Sequence, residues 1–406
     1  MKEWKTYKLS EIGQVIGGAT PSTKVASNYD GDIAWITPKD LSLLSGRYVY
    51  KGERCITEAG YKSCSCQMLP AGSILFSSRA PIGYIAIAGN ELCTNQGFKS
   101  VVPNPEIVNS HFLYYLLSYE KNRIAEMGSG TTFMEISGNV MKNIEVKLPD
   151  LSIQNKIAEI LTSLDEKIEN NKRINDNLEQ QAQALYKSWF VDFEPFREGE
   201  FIESELGLIP STWRTSSLLK MINVMSGGTP KTNEDKYWNG EIPFFTPKDN
   251  DSSIYCHSTE KYITELGLSK CNSLLYPKDT IFVTARGTVG KICLSGTAMA
   301  MNQSCYAIVA NDSSQQLFWY YTISNLIRVI KNKANGAVFD AITVKDFDEV
   351  IVIPDNSTIN SFVQRVSAMF ESINNNLLEN INLAKQRDSL LPKLMSGELK
   401  INEIDC

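Results

Sequence analysis

Apolar and small residues recur in alternating steps of four and three along two stretches of the chain. The first set comprises Ile157, Leu161, Leu164, Ile168, Asn171, Asn175, Leu178, Ala182, Leu185 and Trp189. The second set begins 205 residues later and comprises Phe362, Val366, Met369, Ile373, Asn376, Asn380, Leu383, Arg387, Leu390 and Leu394. An unbroken heptad spacing is typical of a helix that packs along another helix. At about 1.5 Å per residue, each stretch predicts a helix of roughly 55 Å.

The two helices are expected to pair with each other and to run antiparallel. The intervening chain is long enough for one domain, and the termini of a domain often lie close together, so the second helix would begin near the end of the first. The resulting register places Asn171 opposite Asn380 and Asn175 opposite Asn376. A buried asparagine costs stability but penalises other registers, which is our hypothesis for these four residues. The alternative is two solvated helices that do not pair.

The remainder of the chain is also duplicated. Several short motifs recur in the same order, at an offset of 209 residues in the first two pairs and 207 in the last two. The pairs are 18–21 with 227–230, 37–40 with 246–249, 78–83 with 285–290, and 95–96 with 302–303. An aromatic helix and a glycine-containing turn follow in each copy, the turns including Gly130 and Asn335-Gly336. Collinear matches of this kind indicate an internal repeat of a domain plus a long helix.

The predicted fold class is α+β, with two duplicated α+β domains joined by two long helices that form an antiparallel coiled coil. Within each domain the apolar runs are short and broken by Gly, Pro and Asn, which is typical of strands. The predicted segments are domain 1 at 1–150, helix 1 at 151–193, an acidic, turn-rich linker at 194–212, domain 2 at 213–355, and helix 2 with a C-terminal tail at 356–406.

Composition and charge indicate the cellular location, the state of the cysteines and the compatibility with DNA binding. The N-terminal stretch has no apolar core of the signal-peptide type, and no run approaches the length of a membrane span, so we expect a cytoplasmic protein. Nine cysteines without metal-site spacing fit reduced thiols. The net charge is −6, yet residues 1–150 carry 15 basic and 14 acidic side chains and 213–354 carry 14 and 13. The acidic surplus lies mostly in 190–212, with one basic and six acidic residues. Weak DNA binding is therefore compatible with the charge.

Two stretches partly match catalytic motifs, but neither has all the features that the chemistry requires. The stretch from Gly287 to Lys291 resembles a phosphate loop, but Ala285 stands where the first glycine is needed and Ile292 where magnesium would require Ser or Thr. A nuclease-like PD…DxK pattern ends at residues 165–167, inside the heptad helix, where we expect the carboxylates to face water. We expect a non-catalytic chain with no cofactor or metal of its own.

The repeated loops instead carry side chains suited to phosphate and base-edge contacts. The candidate DNA-binding residues are Thr20, Lys39, Ser78, Arg79, Asn95, Gln96, Thr229, Lys231, Lys248, Arg286, Asn302 and Gln303. Positions at which the copies agree are expected to serve framework or phosphate roles. Positions at which they differ, as in 41–54 against 250–261, are expected to discriminate bases. A second group, at the helix ends, is expected to bind partner subunits: Trp189, Phe190, Phe193, Leu391 and Leu394.

Three stretches of the helices identify a family resemblance. LPDLSIQNKIAEILTSLDEKIENN, ALYKSWFVDFEPF and LLPKLMSGEL resemble the hallmark helices of the specificity (S) subunits of type I restriction-modification systems. The TPKD and Arg-x-x-x-Gly loops resemble the target recognition domains of those subunits. The resemblance covers essentially the whole chain.

The resemblance implies a DNA-reading role and a set of partners. It implies two recognition domains at opposite ends of the coiled coil, each reading one half of a bipartite site in double-stranded DNA. It further implies two modification subunits, which bind S-adenosylmethionine, and two ATP-dependent restriction subunits, so that S-adenosylmethionine, ATP and magnesium belong to the partners. Two other classes remain open from the residues alone: a coiled-coil adaptor whose repeated domains bind proteins, and an enzyme that transfers methyl groups by itself.

Overall fold

The computed structural model describes residues 4–79, 81–129, 134–333 and 341–399, and of residues 332 and 333 the backbone alone. Residue 80 of the predicted loop and the predicted turn residues Gly130, Asn335 and Gly336 lie outside these ranges. The chain divides into two units. Unit 1 comprises Met1–Glu169 and Ile381–Cys406, and unit 2 comprises Asn170–Asn380.

Unit 1 contains the first copy of the repeated domain. Its strands are β1 Lys5–Lys8, β2 Gly13–Gly17, β3 Tyr29–Ile36, β4 Tyr48–Val49, β5 Cys55–Ile56, β6 Ile74–Phe76, β7 Ile85–Ala88, β8 Cys93–Thr94, β9 Lys99–Pro103 and β10 Glu145–Leu148. Its helices are α1 Leu9–Ile12, α2 Pro38–Ser42, α3 Glu58–Lys62, α4 Ser110–Glu126, α5 Gly138–Lys142, the beginning of α6 Leu151–Phe190 and the end of α9 Asn356–Met395.

Unit 2 contains the second copy. Its strands are β11 Phe201–Ser204, β12 Gly207–Pro210, β13 Arg214–Ser217, β14 Ile222–Ser226, β15 Trp238–Phe245, β16 Tyr255–Cys256, β17 Lys261–Ile263, β18 Ile281–Thr284, β19 Ile292–Ser295, β20 Ala300–Met301, β21 Cys305–Ala310 and β22 Val350–Ile353. Its helices, besides the end of α6, are α7 Glu265–Ser269, α8 Gln316–Lys333 and most of α9 Asn356–Met395.

The sheets of the two units have the same topology, which confirms the duplication. Unit 1 has a five-stranded sheet in the order β2-β9-β6-β7-β4, a three-stranded sheet β5-β3-β8 and the pair β1-β10. Unit 2 has β14-β21-β18-β19-β16, β17-β15-β20 and β13-β22 in the same roles. Parallel pairing occurs at matching places, β3 with β8 and β15 with β20. The predicted α+β class is confirmed.

A β-bulge in the long strand of each copy shows how local sequence builds this repeat. The register of β3 against β5 shifts after Tyr29, where Asp30 has φ 62°. Asn239 takes φ 58° at the matching place in β15. Asp and Asn tolerate this left-handed conformation better than most residues. The next residue is glycine in both copies, and a Cβ on Gly31 would lie 2.6 Å from the carbonyl oxygen of Ile56. Only glycine allows this close approach of the strands.

Within each unit the segments of α6 and α9 run antiparallel. In unit 1, Asp165 of α6 contacts Arg387 of α9, and Leu161 and Leu394 share one buried core. In unit 2, the contacts include Asn171 with Asn380 and Phe190 with Phe362. Residue numbers rise on one helix as they fall on the other, as the heptad pattern predicts. Gly397, with φ 72°, follows the end of α9, in keeping with a glycine C-cap.

The predicted asparagine register is confirmed inside unit 2. The side-chain amide of Asn171 donates to Asn380 Oδ1 at 2.9 Å, and that of Asn376 donates to Asn175 Oδ1 at 2.8 Å. Three of the four residues are buried, and Asn376 is partly buried. Asn171 also donates to the Glu379 carboxylate at 2.7 Å. Both inter-helix amide hydrogen bonds, Asn171 with Asn380 and Asn376 with Asn175, depend on this pairing of the helices.

The predicted linker is more ordered than a turn-rich stretch. Residues 201–210 form an antiparallel hairpin of β11 and β12 with Ser204 paired to Gly207. Aromatic residues before and after it pack together, since the Phe193 and Phe196 rings lie 5.4 and 5.0 Å from the Trp213 ring. The acidic segment therefore contains apolar side chains that pack against each other beside the hairpin.

Two further expectations concern chemistry. The eight cysteines in the described ranges are free thiols, as predicted from their spacing. Within the described ranges as a whole, no group of His, Cys, Asp and Glu side chains could hold a metal ion. Across the described residues, helices that are both long enough and apolar enough to span a bilayer are lacking.

Candidate nucleic-acid interface

Four loops meet at one edge of the sheets in unit 1. They follow the carboxyl ends of β2, β3, β6 and β8, and we call residues 18–21, 37–40, 78–83 and 95–97, without residue 80, the first loop cluster. Because β2 and β6 both pair antiparallel with β9, their ends point the same way. Backbone hydrogen bonds join the loops, from Ala19 N to Thr94 O (3.0 Å), from Asn95 N to Ile36 O (2.9 Å) and from Ser78 N to Gly97 O (2.7 Å).

Unit 2 repeats this construction. The second loop cluster comprises residues 227–230, 246–249, 285–290 and 302–304. Its backbone bonds run from Gly228 N to Met301 O (3.1 Å), from Asn302 N to Phe245 O (3.0 Å) and from Ala285 N to Ser304 O (2.8 Å). Eleven of the twelve residues predicted from the sequence therefore lie in these two clusters, and Lys231 follows the second one directly in the chain. The sequence motifs mark two matching surfaces.

Hydroxyl and amide side chains from different loops contact each other in both clusters. Thr20 Oγ1 donates to Gln96 Oε1, and Thr229 Oγ1 donates to Gln303 Oε1. Gln96 and Gln303 are exposed, so the amide nitrogen of each remains on the surface of its cluster. An amide held in this way can offer hydrogen bonds to a base edge with little loss of side-chain entropy.

Other predicted residues serve the framework of the loops. Ser78 is fully buried, and its hydroxyl donates to the Gly97 carbonyl at 3.1 Å, so this side chain is not accessible to DNA. The side-chain oxygen of Asn95 accepts from Gly97 N at 2.9 Å, and that of Asn302 accepts from Ser304 N at 3.0 Å. These asparagines shape the turns, because a side-chain amide can stand in for a backbone acceptor.

The Thr-Pro-Lys-Asp loops are built alike. The carboxylate of Asp40 accepts from the Thr37 hydroxyl at 2.6 Å, and that of Asp249 accepts from the Thr246 hydroxyl at 2.7 Å. Both aspartates therefore cap the short helical turn that begins each loop. The lysine that precedes the aspartate in each motif, Lys39 or Lys248, is exposed. The shared motif thus combines a capped framework with one cation at the surface.

Arg79 is presented at the edge of the first cluster by a fixed turn. Gly83 has φ 99°, and its N–H donates to the Ser77 carbonyl at 3.0 Å. The guanidinium lies 3.7 Å from the Glu135 carboxylate, which also accepts from Lys99 at 3.3 Å. About a third of the Arg79 side chain remains exposed. The turn and the neighbouring carboxylate thus limit the positions open to the guanidinium.

Arg286 occupies the matching place in unit 2 with a different neighbourhood. Gly290 has φ 72° and donates to the Thr284 carbonyl at 2.7 Å, which repeats the turn. Ile136 N donates to Ser78 O in unit 1, and Ile342 N donates to Ala285 O in unit 2, both at 2.9 Å. The residue before Ile342 is Ala341, so the counterpart of Glu135 carries no charge.

Comparison with known proteins identifies the family. Residues 1–180 and 210–383 match the family described as type I restriction modification DNA specificity domain. The chain belongs to this family. It is 37% identical over 412 residues to the type I restriction enzyme MjaIX specificity subunit of Methanocaldococcus jannaschii, covering 99% of this chain and 95% of that protein. It is 25% identical over 469 residues to the HindI specificity subunit of Haemophilus influenzae, covering 98% of this chain and all of that protein.

A solved structure supports the fold. The crystal structure of a type I restriction-modification system S subunit from M. genitalium superposes with a TM-score of 0.63, covering 96% of both chains at 16% identity. The family match and the relatives confirm the resemblance stated from the helix motifs, and the chain is a type I specificity subunit with two repeated recognition domains. Family membership favours this function over that of a coiled-coil adaptor.

In this specificity subunit, a charged network that the sequence did not reveal joins the first recognition domain to the helices of unit 1. Arg47 is 3% exposed, and its guanidinium donates to Glu169 at 3.1 and 3.2 Å. Asp165 is also buried and accepts from the Tyr115 hydroxyl at 2.6 Å and from Arg387 at 2.7 Å. Burial opposes the charge of Arg47, but the hydrogen bond to Glu169 and the nearby carboxylates raise its pKa overall.

One expectation about these residues is therefore wrong. Asp165 does not face water, because two cations and a hydroxyl hold it inside the unit. Arg47 belongs to the variable segment that we expected to discriminate bases, yet it is buried against the helices. A signal was available in the repeat, since Ile254 and Phe370 stand at the matching positions of the second copy. A charged pair replaced by an apolar pair indicates mutual contact.

Most of the predicted partner-binding residues pack within or against the cores of the two units. The Phe190 ring packs 4.9 Å from Phe318 and 5.1 Å from Phe362. Leu394 is fully buried in the core of unit 1, which leaves it unavailable to a partner. Four of the five remain partly accessible after this packing: Trp189, Phe190, Phe193 and Leu391.

Proposed function

We propose that each recognition domain of this specificity subunit reads one half of a bipartite target in double-stranded DNA, and that the paired helices set the spacing between the halves. The observation that carries the proposal is the repeated loop cluster. Two separate copies present a lysine, an arginine and a glutamine amide on loops that backbone hydrogen bonds hold together. These are the side chains that best match guanine and adenine edges and backbone phosphates.

The subunit would act as the reader of a larger cytoplasmic assembly rather than as an enzyme. Two modification subunits would supply methyl transfer from S-adenosylmethionine, and two restriction subunits would supply ATP- and magnesium-dependent cleavage. Each recognition domain is close to neutral in formal charge. Because non-specific affinity for DNA depends on the number of phosphates neutralised, the assembled complex should bind DNA more tightly than the isolated subunit.

Exchange of one recognition domain tests the proposal. Residues 1–150 are replaced by the corresponding segment of the Methanocaldococcus jannaschii relative, and methylated adenines are mapped in a host that expresses the hybrid with the modification subunits. One half of the methylated sequence should change while the other half and the spacing persist. If both domains face one side of the duplex, the half-site centres should lie about one helical turn apart, roughly 34 to 36 Å.

Two results would contradict the proposal. A simultaneous change in both half-sites would mean that the domains do not read independently. Absence of salt-sensitive binding of the assembled complex to specific duplex DNA would mean that the chain is an adaptor and not a DNA reader. The control for junction effects is the native chain with the same junction sequence introduced after residue 150.

A further inference from the structure

A glycine turn in the second loop cluster gathers positive charge. Arg286 begins the turn and Lys291 ends it, and both intervening glycines adopt positive φ, 79° at Gly287 and 72° at Gly290. Thr284 Oγ1 fixes the turn, because it accepts from Lys291 N at 2.9 Å and donates to the Thr288 carbonyl at 2.5 Å. The two cationic side chains thus emerge from the two ends of one rigid turn.

A third cation reaches the same turn from α8. The Lys331 ammonium donates to the Gly290 carbonyl at 2.9 Å. The Lys291 ammonium extends in the other direction and donates to the Asn250 carbonyl at 2.8 Å. An ammonium has three N–H donors, so each lysine keeps donors for a further acceptor.

A fourth cation stands on the neighbouring loop. The Thr288 hydroxyl lies 3.5 Å from the Pro247 carbonyl, so the turn touches the loop that carries Lys248. Asp249 on that loop is occupied, since its carboxylate oxygens accept from Thr246 and from Glu260 N at 2.7 Å. The second-domain cation cluster therefore comprises Lys248, Arg286, Lys291 and Lys331.

The cluster has no carboxylate partner within the described ranges. None of its four members forms an ion pair with a described Asp or Glu. Lys248, Arg286 and Lys331 are exposed, and Lys291 is partly buried. Burial, followed by the charge of Lys291, lowers the pKa of Lys331, which agrees with like charges lying close together. Such a site favours an anion.

The first recognition domain lacks this arrangement. Alignment of the repeats places Tyr84 at the position of Lys291 and Ala125 at that of Lys331. The remaining two cations are paired in this copy. Lys39 lies 2.6 Å from the Glu53 carboxylate, which raises the pKa of Lys39, and Arg79 lies 3.7 Å from Glu135. The two copies thus share a framework and differ in the charge they present.

We propose that the second-domain cation cluster binds a phosphate of the DNA backbone, so that the second recognition domain supplies more of the salt-dependent affinity than the first. The inference rests on the proposed function, since it assigns the ligand of one loop cluster within it. Phosphate contacts position a protein on the duplex and carry no sequence information. The second domain would then contribute more to the phosphate contacts that position the subunit than the first domain does.

The salt dependence of binding tests this assignment. The full-length subunit is assembled with its modification subunits, and its affinity for a random-sequence duplex is measured from low to moderate salt. The variant K291M/K331M removes the turn lysine and the α8 lysine, and it should flatten the slope of log affinity against log salt by about 0.9, because one neutralised phosphate contributes about 0.9. Methionine keeps the aliphatic stems, and K291R/K331R should retain the wild-type slope.

A matched control comes from the same unit. Lys220 and Lys278 are exposed, and they precede β14 and β18, whose other ends lead into the second loop cluster. Both strands pair antiparallel with β21, so these lysines lie at the opposite edge of the sheet. K220M/K278M removes the same charge and should leave the slope close to that of the wild type. Equal flattening in both double variants would show a general charge effect and overturn the assignment.

Two other results also overturn it, and they differ from failure of the proposed function. A wild-type slope in K291M/K331M, with normal binding, would show that the cluster does not touch DNA. The second result concerns a small anion as ligand, tested by titrating inorganic triphosphate without DNA. Loss of triphosphate binding in the variant with an unchanged DNA slope would assign the site to a free phosphate compound. Absence of duplex binding by the wild-type assembly would instead refute DNA reading itself.

Discussion

Arg387 of α9 donates to Asp165 of α6 at 2.7 Å, in a part of unit 1 where the Asp165 side chain is only 7% exposed. Removing the carboxylate leaves two cations, Arg387 and the buried Arg47, without their shared partner. Loss of one member of a buried ion pair costs about 3 to 5 kcal/mol. D165A should therefore lower the free energy of unfolding by about 3 kcal/mol, measured by denaturant unfolding of the full chain.

The second copy supplies the compensating variant. At the positions that match Arg47, Asp165, Glu169 and Arg387 it carries Ile254, Phe370, Asn374 and Ala182. Replacing a buried ionic group by well-packed apolar residues is often neutral or stabilising. The fourfold change R47I/D165F/E169N/R387A should recover most of the stability lost in D165A. If it is less stable than D165A, the network contributes more than mutual neutralisation.

Sequence patterns predicted the periodic and repeated features of this subunit and missed the features that depend on three-dimensional neighbours. The heptad spacing gave the helices and the asparagine register, because both follow from one helical period. The position of Asp165 could not follow from that period, since it lies beside the seam and is buried by a tyrosine and an arginine from distant segments. The cation cluster also required structure, because Lys331 comes from another helix.

The asparagine pairs should specify register rather than add stability. Replacing all four by leucine removes buried amides and restores an apolar seam. The quadruple variant N171L/N175L/N376L/N380L should therefore melt at a higher temperature than the wild type, while methylation tolerates a second spacer length between the half-sites.

A single change provides the contrast. N380L removes one of the two acceptors of the Asn171 amide and leaves the Glu379 carboxylate as the other. Loss of one buried hydrogen bond costs about 0.5 to 1.5 kcal/mol, so this variant should melt below the wild type. A lower melting temperature for the quadruple variant than for N380L would mean that the amides stabilise the helix pair outright.

Phe190 and Phe193 should differ in what they support. The Phe190 ring packs against Phe318 and Phe362 in the core of unit 2, so F190S should cost about 3 to 5 kcal/mol of folding free energy, as for a large-to-small core change. Phe193 is partly exposed, with its ring 5.4 Å from Trp213. F193S should retain the fold and weaken co-purification with the modification subunits. Unchanged co-purification of folded F193S would assign this residue to packing alone.

Arg79 should read a base, whereas the second-domain cluster should hold phosphate. Arg79 and Lys99 share the Glu135 carboxylate, whose negative charge offsets part of theirs. The two cations therefore attract a phosphate less strongly than the unpaired second-domain cation cluster. A carboxylate beside a guanidinium also limits its orientation, which favours a bidentate contact with guanine O6 and N7. R79A should therefore relax one base position in the first half-site, by about 1 to 3 kcal/mol of discrimination. The slope of affinity against salt should change little.

Competition among duplexes that vary at each position of one half-site measures this effect. E135Q is the informative companion, because it removes the charge and keeps the shape of the side chain. It should raise affinity for random-sequence DNA and lower the ratio of specific to non-specific binding, since Arg79 and Lys99 are then free to contact phosphates. Uniform weakening of R79A on all duplexes, with a flatter salt slope, would assign Arg79 to the backbone. No change in either quantity would mean that the first loop cluster faces away from DNA.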